Sequence, residues 1–225
     1  MVLHCLELAQ RAGARSVIVA VDDPRIAEAV VAAGGDAQMT DPDHPSGTDR
    51  LAEVARVRGW SDEEVVVNLQ GDEPLLPPEL LRRLAEAAHT HPAAGIVTMA
   101  VPIETPEELF LESAVKTVLD DRGFALYFSR APIPWVRGLF GGPVEELPTD
   151  VPFLRHLGLY AYRAGTLRTL AEAPRASCEA AESLEQLRAM AMGIPIHVTV
   201  LDEAPPPGID TRDDLERVRA IFEAR

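Results

Sequence analysis

The chain reads as an α/β protein, a mostly parallel sandwich with an antiparallel insertion on one edge. Strand-length apolar runs alternate with helical periods almost from end to end. Two of those runs, SVIVAV (16–21) and EVVVNLQ (64–70), are rich in β-branched residues, as expected of parallel strands covered on both faces. The stretch from about 113 to 163 departs from the alternation, because two strand-like segments there flank a tight turn. At 225 residues, one domain spanning 1–225 is the expectation, with the insertion inside it.

Each element has a local reason. Residues 1–12 place Val2, Leu3, Leu6, Leu8 and Ala9 along a helical face, and Gly13 stops the helix. After strand 16–21, Asp23 and Pro24 supply a cap and a first-turn proline, and Gly34-Gly35 closes that helix. The polar loop TDPDHPSGTDR (40–50) leads into a helix over LAEVARVRG (51–59). Strand 64–70 ends in GDEPLLPPEL, which turns into helix 78–88, and IVTMAVPI (96–103) is a third strand. In the insertion, AVKTVLD and FALYFSR flank the turn Asp121-Arg122-Gly123, and a proline- and glycine-rich loop (131–152) precedes strand HLGLYAY (156–162). Helix 180–192, strand IPIHVTV (194–200) and a terminal helix follow, with Thr211 and Asp214 spaced as a capping box. There is no internal repeat or low-complexity linker, so the strands are expected to share one sheet. Ligands of such sheets sit beyond the carboxyl ends of the strands, here just after residues 21, 70, 103 and 200.

Composition removes several function classes. The net charge of −15 and the lack of a basic cluster argue against nucleic acid as a partner. No apolar run approaches the roughly 18–20 residues that span a bilayer. Glu7 interrupts the first apolar stretch and no basic leader precedes it, so a secretory signal is not expected. Cys5 and Cys178 are far apart and outside any CxxC, which excludes a structural zinc site and fits two unpaired thiols in a reducing cytoplasm.

Five features carry chemistry. In NLQGDEP (68–74) a buried strand ends, Gly71 permits a tight turn, and Asp72 and Glu73 stand at the ligand edge. A carboxylate there suits Mg²⁺, which takes hard oxygen ligands and bridges to phosphates; the competing reading is a cap for a helix begun by Pro74. Asp210 repeats the theme after the last strand, again with a helix cap as the alternative. Two carboxylates at one sheet edge suit one or two metal ions facing a polyphosphate. HPSGTDR (44–50) offers Ser46, Gly47 and Thr48 to a base or phosphate, or forms only a turn and a cap. The chain lacks GxxxxGK[ST] and GxGxxG, which removes support for kinase-type and dinucleotide-binding readings. The insertion and the strand after it gather Arg130, Arg137, Arg155, His156 and Tyr160, arginine forks being natural partners of carboxylates and phosphates; the competing readings are plain surface residues and, for His156, a satisfied core histidine. Glu185 and Gln186 interrupt an otherwise amphipathic helix, where a solvated face is the plain explanation.

Taken in order, HPSGTDRL, VNLQGDEP, AVPI, ALYFSRAPIPW, FLRHLGLYAYR, SLEQLR and GIDTRDDL resemble the 3-deoxy-manno-octulosonate (Kdo) cytidylyltransferases. The resemblance covers nearly the whole chain. It implies a nucleotidyltransferase-type, Rossmann-like sandwich, dimeric through the insertion at about 113–163. It also implies an activity: the anomeric hydroxyl of Kdo attacks the α-phosphate of CTP, giving CMP-Kdo and pyrophosphate for lipopolysaccharide. By motif, Asp72 and Asp210 are expected to hold Mg²⁺, with Asp213 assisting behind them, and Arg130 to act on the reacting groups. Ser46, Gly47, Thr48 and Gln70 are expected at the nucleotide, and Arg137, His156, Tyr160, Glu185 and Gln186 at the sugar. The family also carries a first strand ahead of the Met1 helix, and a basic loop of the form Pro-Ala-Arg … Arg … Gly-Lys-Pro that holds the triphosphate. The expectation is therefore that the natural protein begins upstream, and that the 225 residues alone are unstable, weakly active or inactive. Two readings compete: a cytidylyltransferase for another acid sugar such as sialic acid, and a non-catalytic remnant that keeps the sugar pocket.

Overall fold

A computed structural model of the chain describes residues 1–44 and 46–224. In chain order the elements are α1 (Val2–Arg11), β1 (Ile18–Val21), α2 (Pro24–Ala32), β2 (Asp36–Met39), α3 (Gly47–Val57), β3 (Val65–Asn68), α4 (Pro78–Thr90), β4 (Ile96–Pro102) and α5 (Pro106–Phe110). They continue with β5 (Lys116–Leu119), β6 (Ala125–Ser129), β7 (Leu154–Arg163), α6 (Ala164–Glu172), α7 (Ser177–Glu182), α8 (Gln186–Ala191), β8 (Ile196–Val200) and α9 (Arg212–Glu223).

The centre of the molecule is β4, whose residues Ile96–Val101 are all buried. Alternation along the strand divides them between two cores. Val97, Met99 and Val101 pack with Leu8 of α1 and Leu81 and Leu84 of α4. Ile96 and Ala100 face the opposite layer, with Ala55 of α3, Leu167 of α6 and Leu187 of α8. This is the expected sandwich, and it explains why the strand is apolar on both faces. A smaller cluster of Ile103, Leu109, Phe140 and Phe153 organises the long loop of the insertion.

Strand direction and hydrogen bonding tell different stories. In the six-stranded sheet β3, β4, β5 and β8 run one way, and β6 and β7 run the other. The strands are thus mostly parallel, yet β7 sits among them and makes most of the ladders antiparallel. One edge of β7 pairs along β4, while the other is divided between β3 at residues 160–163 and β5 at 154–155. Besides β7, the insertion is tied to the core by the Phe124 bridge to His197 of β8, by the Val198 N–H donating to the Gly123 carbonyl at 2.9 Å, and by Phe128 buried in the second core.

Four expectations need correction. The strands form two sheets, because β1 pairs with β2 alone, in parallel, apart from the six-stranded sheet. Among the described residues β1 and β3 each have a single ladder partner and keep an open edge. β1 is accordingly not covered on both faces: only Val21 is buried. The single helix expected over 180–192 is two short helices, α7 and α8, broken at Ser183 in the left-handed conformation (φ 52°). Finally, α3 starts at Gly47 rather than at residue 51, because the Ser46 side chain caps it. The Thr211–Asp214 capping box forms as expected, and Cys5 and Cys178 are free thiols. No described helix is long and apolar enough to cross a membrane.

Candidate functional site

A cleft of about 240 Å³ opens where α3, the end of β3, β7 and the turn between α7 and α8 converge. One wall is the N-terminus of α3. Asp49 donates its backbone N–H to Ser46 Oγ at 3.2 Å, and Ser46 Oγ–H donates to Asp49 Oδ2 at 2.6 Å. This cap points the first turn of the helix, with Thr48, at the cleft. Gln70 enters from the loop after β3.

The floor comes from a bulge in β7. The register with β4 jumps from Thr98↔Tyr160 to Met99↔Leu157, so Gly158 and Leu159 are extra residues with no partner on β4. Thr98, fully buried, pins the bulge: its Oγ1 lies 3.1 Å from the Leu157 carbonyl and 2.8 Å from that of Leu159, and 2.9 Å from His156 Nε2. A hydroxyl has one proton to give, so His156 completes the set as an N–H donor to Thr98. Desolvation pushes the His156 imidazole down to about 3, so the ring is neutral. It packs edge-on to Phe128 and against Tyr160, which stacks on Tyr162 at 5.6 Å. Burial raises both tyrosine hydroxyls well above their ordinary value, so both remain protonated donors.

The second wall is Ser183–Gln186. A left-handed serine costs roughly 1–2 kcal/mol. It is held because Leu184 is buried in the core and the Arg130 guanidinium donates to the carbonyls of Glu182 (2.7 Å), Glu112 (3.2 Å) and Ser183 (3.5 Å). The two walls touch where Thr48 Oγ1–H donates to Glu185 Oε2 at 3.0 Å.

Asp72 and Asp210 stand on neighbouring loops, tied by the Ile209 N–H to the Asp72 carbonyl at 2.9 Å. The approach is close enough to require glycine at 208, where a Cβ would lie 2.9 Å from Glu73 Cδ and 3.0 Å from the Asp72 carbonyl oxygen. Burial, with Asp72 and Asp210 as like charges, lifts the Glu73 carboxyl to about 7. The competing cap readings fail for all three acids: α4 begins at Pro78 with Pro77 as its cap residue, and Thr211 caps α9. Among the described residues no three His, Cys, Asp or Glu side chains form a ready metal cage. Two carboxylates suit an ion that keeps waters and meets phosphate oxygens, so the donor set fits Mg²⁺.

Of the residues anticipated from sequence, Ser46, Thr48, Gln70, Tyr160, Glu185 and Gln186 line the cleft, with Gly47 between two of them. His156 lies beneath the floor and Arg130 behind the second wall. Asp72 and Asp210 occupy the adjacent acidic edge, and Asp213 is exposed in the first turn of α9. Arg137 is exposed on the insertion loop and has no hydrogen-bond partner among the described residues. Of the four strand ends singled out, the one at residue 70 reaches the cleft through Gln70, and the one after 200 leads to Asp210 on the acidic edge. The one after 103 leads into the insertion's small core, and the one after 21 gives the cleft no lining residue among those described. Tyr162, Ser183 and Arg188 also line the cleft and were not anticipated. Tyr162 was within reach, since it shares a strand face with Tyr160, two residues away.

Comparison with known proteins agrees with this architecture. A cytidylyltransferase family model matches residues 1–196. The 3-deoxy-manno-octulosonate cytidylyltransferase of Hahella chejuensis is 51% identical over 222 residues, 99% of this chain and 87% of that protein. The protein of the same name from Yersinia enterocolitica is 50% identical over 222 residues, 99% of this chain and 88% of its own length. A solved CMP:2-keto-3-deoxy-manno-octonic acid synthetase complexed with CTP superposes with a TM-score of 0.87 at 41% identity, covering 99% of this chain and 87% of that one. With half of its residues identical to such relatives across 99% of its length, the chain belongs to the 3-deoxy-manno-octulosonate cytidylyltransferase family.

Proposed function

We infer that the chain transfers CMP from CTP to the anomeric hydroxyl of Kdo. The observation that supports this reading is the cleft itself: its α3 wall and Gln70 offer hydroxyl and amide groups suited to a nucleotide, and its α7–α8 wall and tyrosine floor offer groups suited to a polyol. The sugar hydroxyl oxygen attacks the α-phosphorus, the bond to the bridging oxygen breaks, pyrophosphate departs, and the hydroxyl proton passes to water. Such a displacement is served chiefly by alignment and charge neutralisation.

Ser46, Gly47, Thr48 and Gln70 take the nucleotide. Tyr160, Glu185 and Gln186 meet the sugar, with His156 supporting Tyr160 from below. The Arg130 guanidinium donates to main-chain carbonyls, while its backbone N–H donates to the Glu182 carboxylate at 2.7 Å, so the guanidinium charge is the group offered to a substrate carboxylate or phosphate. Arg137, exposed on the insertion loop, is a second guanidinium proposed for such a group. Asp72 and Asp210 would hold Mg²⁺, with Asp213 behind them. A bound ion there would offset phosphate charge and ease loss of the hydroxyl proton. A cytoplasmic homodimer through the insertion completes the reading, supported by the exposure of Leu126 and Trp135 (60% and 59%).

The test is pyrophosphate release with CTP, Mg²⁺ and Kdo, beside the same assay with sialic acid. Preference for Kdo supports the reading. Equal or better turnover of another acid sugar, or no release with any, overturns it.

A further inference from the structure

The turn that forms the second wall is held from behind by a buried ion pair. Glu179 of α7 is 2% exposed, and its carboxylate accepts from Arg188 of α8 twice, Nε to Oε2 at 2.9 Å and Nη2 to Oε1 at 2.6 Å. The Ala176 N–H adds a third bond at 3.0 Å, and Arg188 Nη1 donates to the Leu170 carbonyl at 3.2 Å. The pair closes the two ends of the segment that contains left-handed Ser183. The helices on either side are six residues each, too short to keep their shape without tertiary support. Arg188 reaches the cleft, but Glu179 neutralises it, so what it contributes there is a fixed shape more than a free charge.

A second observation says what that shape is for. Gln186 follows the turn, is buried, lines the cleft, and its Nε2 has no hydrogen-bond partner among the described residues. A buried donor left unpaired at a cleft wall favours a ligand that brings an acceptor. Glu185, beside it, presents the complementary acceptor.

We propose that Glu179 and Arg188 are positioning residues for the sugar: their ion pair holds Ser183–Gln186 so that the Gln186 amide and the Glu185 carboxylate meet the sugar hydroxyls in one arrangement. The proposal rests on the reading of the cleft given above, and adds which side chains outside the substrate's contacts set its affinity. Neither residue touches the reacting atoms, so the loss should appear in sugar binding and leave CTP binding in place.

Kdo binding without CTP, measured by calorimetry, and KM for each substrate separate these effects in wild type, Arg188→Lys, Glu179→Gln and the double variant Glu179→Gln/Arg188→Met. Lysine keeps the charge but cannot span both carboxylate oxygens. The expected result is Kdo affinity about tenfold weaker and KM for Kdo about tenfold higher in each single variant, with KM for CTP within about threefold. The double variant should be no worse than Glu179→Gln, since both changes remove one interaction. Arg175→Met, which removes a largely exposed guanidinium 3.8 Å from Glu179, should leave both affinities unchanged. If Glu179→Gln does not melt cooperatively, Arg188→Lys decides. A folded Arg188→Lys with wild-type Kdo affinity overturns the proposal, as does equal loss of Kdo and CTP affinity. Failure of the wild-type chain to bind Kdo overturns the reading of the cleft instead.

Discussion

The two walls of the cleft are built on different principles. The first turn of the α3 wall, which faces the cleft, is capped by neighbours in sequence, Ser46 and Asp49 bonding each other across one helical turn. The body of α3 is anchored by Ala52 and Ala55 in the core and by Arg50 to Thr40 and Asp22. The α7–α8 wall is held by partners far away, with Arg130 donating to carbonyls 52 and 53 residues on, Leu184 and Leu187 in the core, and the Glu179–Arg188 fork across its ends. A locally capped wall can loosen and re-form without disturbing the core. A wall braced by core residues and a buried ion pair moves only if that packing breaks. The nucleotide side is therefore expected to adapt to its ligand, and the sugar side to arrive preformed.

The largest expected effect separates both walls from the chemistry. Asp72→Asn or Asp210→Asn removes a hard anionic ligand from the acidic edge and should lower kcat by about 10³-fold, several kcal/mol of transition-state stabilisation. Calorimetric Kdo affinity should stay near wild type, because neither acid lines the braced wall. A matching loss of Kdo binding would place the acids in the sugar site and dissolve the distinction.

Next comes the brace's foundation. Leu187 is 0% exposed within the core shared by α3, α6 and α8. Leu187→Ala should cost about 2–5 kcal/mol in urea unfolding, the usual range for a buried leucine, and raise KM for Kdo in protein that remains folded. Destabilisation with an unchanged KM for Kdo would show that the wall keeps its shape without the core beneath it.

These contrasts also explain what could be read from sequence. The strand runs, the capping box at Thr211 and the acids of QGDEP and GID were legible because their signals are local: periodicity, a turn glycine, a carboxylate after a strand. β2 was missed because Asp36–Met39 is polar and pairs on an isolated two-stranded sheet, where no buried face imposes an apolar pattern. The break at Ser183 was missed for the opposite reason. Its conformation is imposed by Arg130, Leu184 and the Glu179–Arg188 pair, which meet only in three dimensions. Glu185 and Gln186 looked like interruptions of one helix; they begin the second. Arg188 shows the same limit, since its spacing from Glu179 is nine residues and carries no helical or strand period.

An intermediate effect concerns two desolvated imidazoles, one beneath the floor and one on β8 against His91. His156 and His197 have folded-state values lowered from 6.5 to about 3 and about 4, both first by desolvation and the second also by the charge of His91, stacked on it at 3.5 Å. Lowered values mean that folding favours the neutral rings. Their contribution is complete above about pH 6.5 and is lost as pH falls toward 4, where the unfolded chain binds protons that the folded chain refuses. Glu73, raised to about 7, gains stability as pH falls from about 7 to 4.5 and offsets part of this, so thermal midpoints should decline from pH 6.5 to 4 by less than the two rings alone would give. His197→Leu should flatten part of that slope, leaving the share of His156. An unchanged slope in His197→Leu would assign the acid sensitivity elsewhere.

The smallest effect tests the independence of the walls directly. Ser46→Ala removes the acceptor for the Asp49 N–H and should cost about 1 kcal/mol, with Ser46→Gly costing a few tenths. Because the cap is local, the loss should fray the first turn of α3 and raise KM for CTP, while the braced wall holds Kdo as before. The side-chain hydrogen bond that links the walls, Thr48 Oγ1 to Glu185 Oε2, is exposed and so carries little coupling. Thr48→Val checks this: if the walls are independent, combining it with Ser46→Ala adds nothing to KM for Kdo. A rise in KM for Kdo in Ser46→Ala that Thr48→Val abolishes would mean that the hydrogen bond transmits order across the cleft, and that the two walls form one unit.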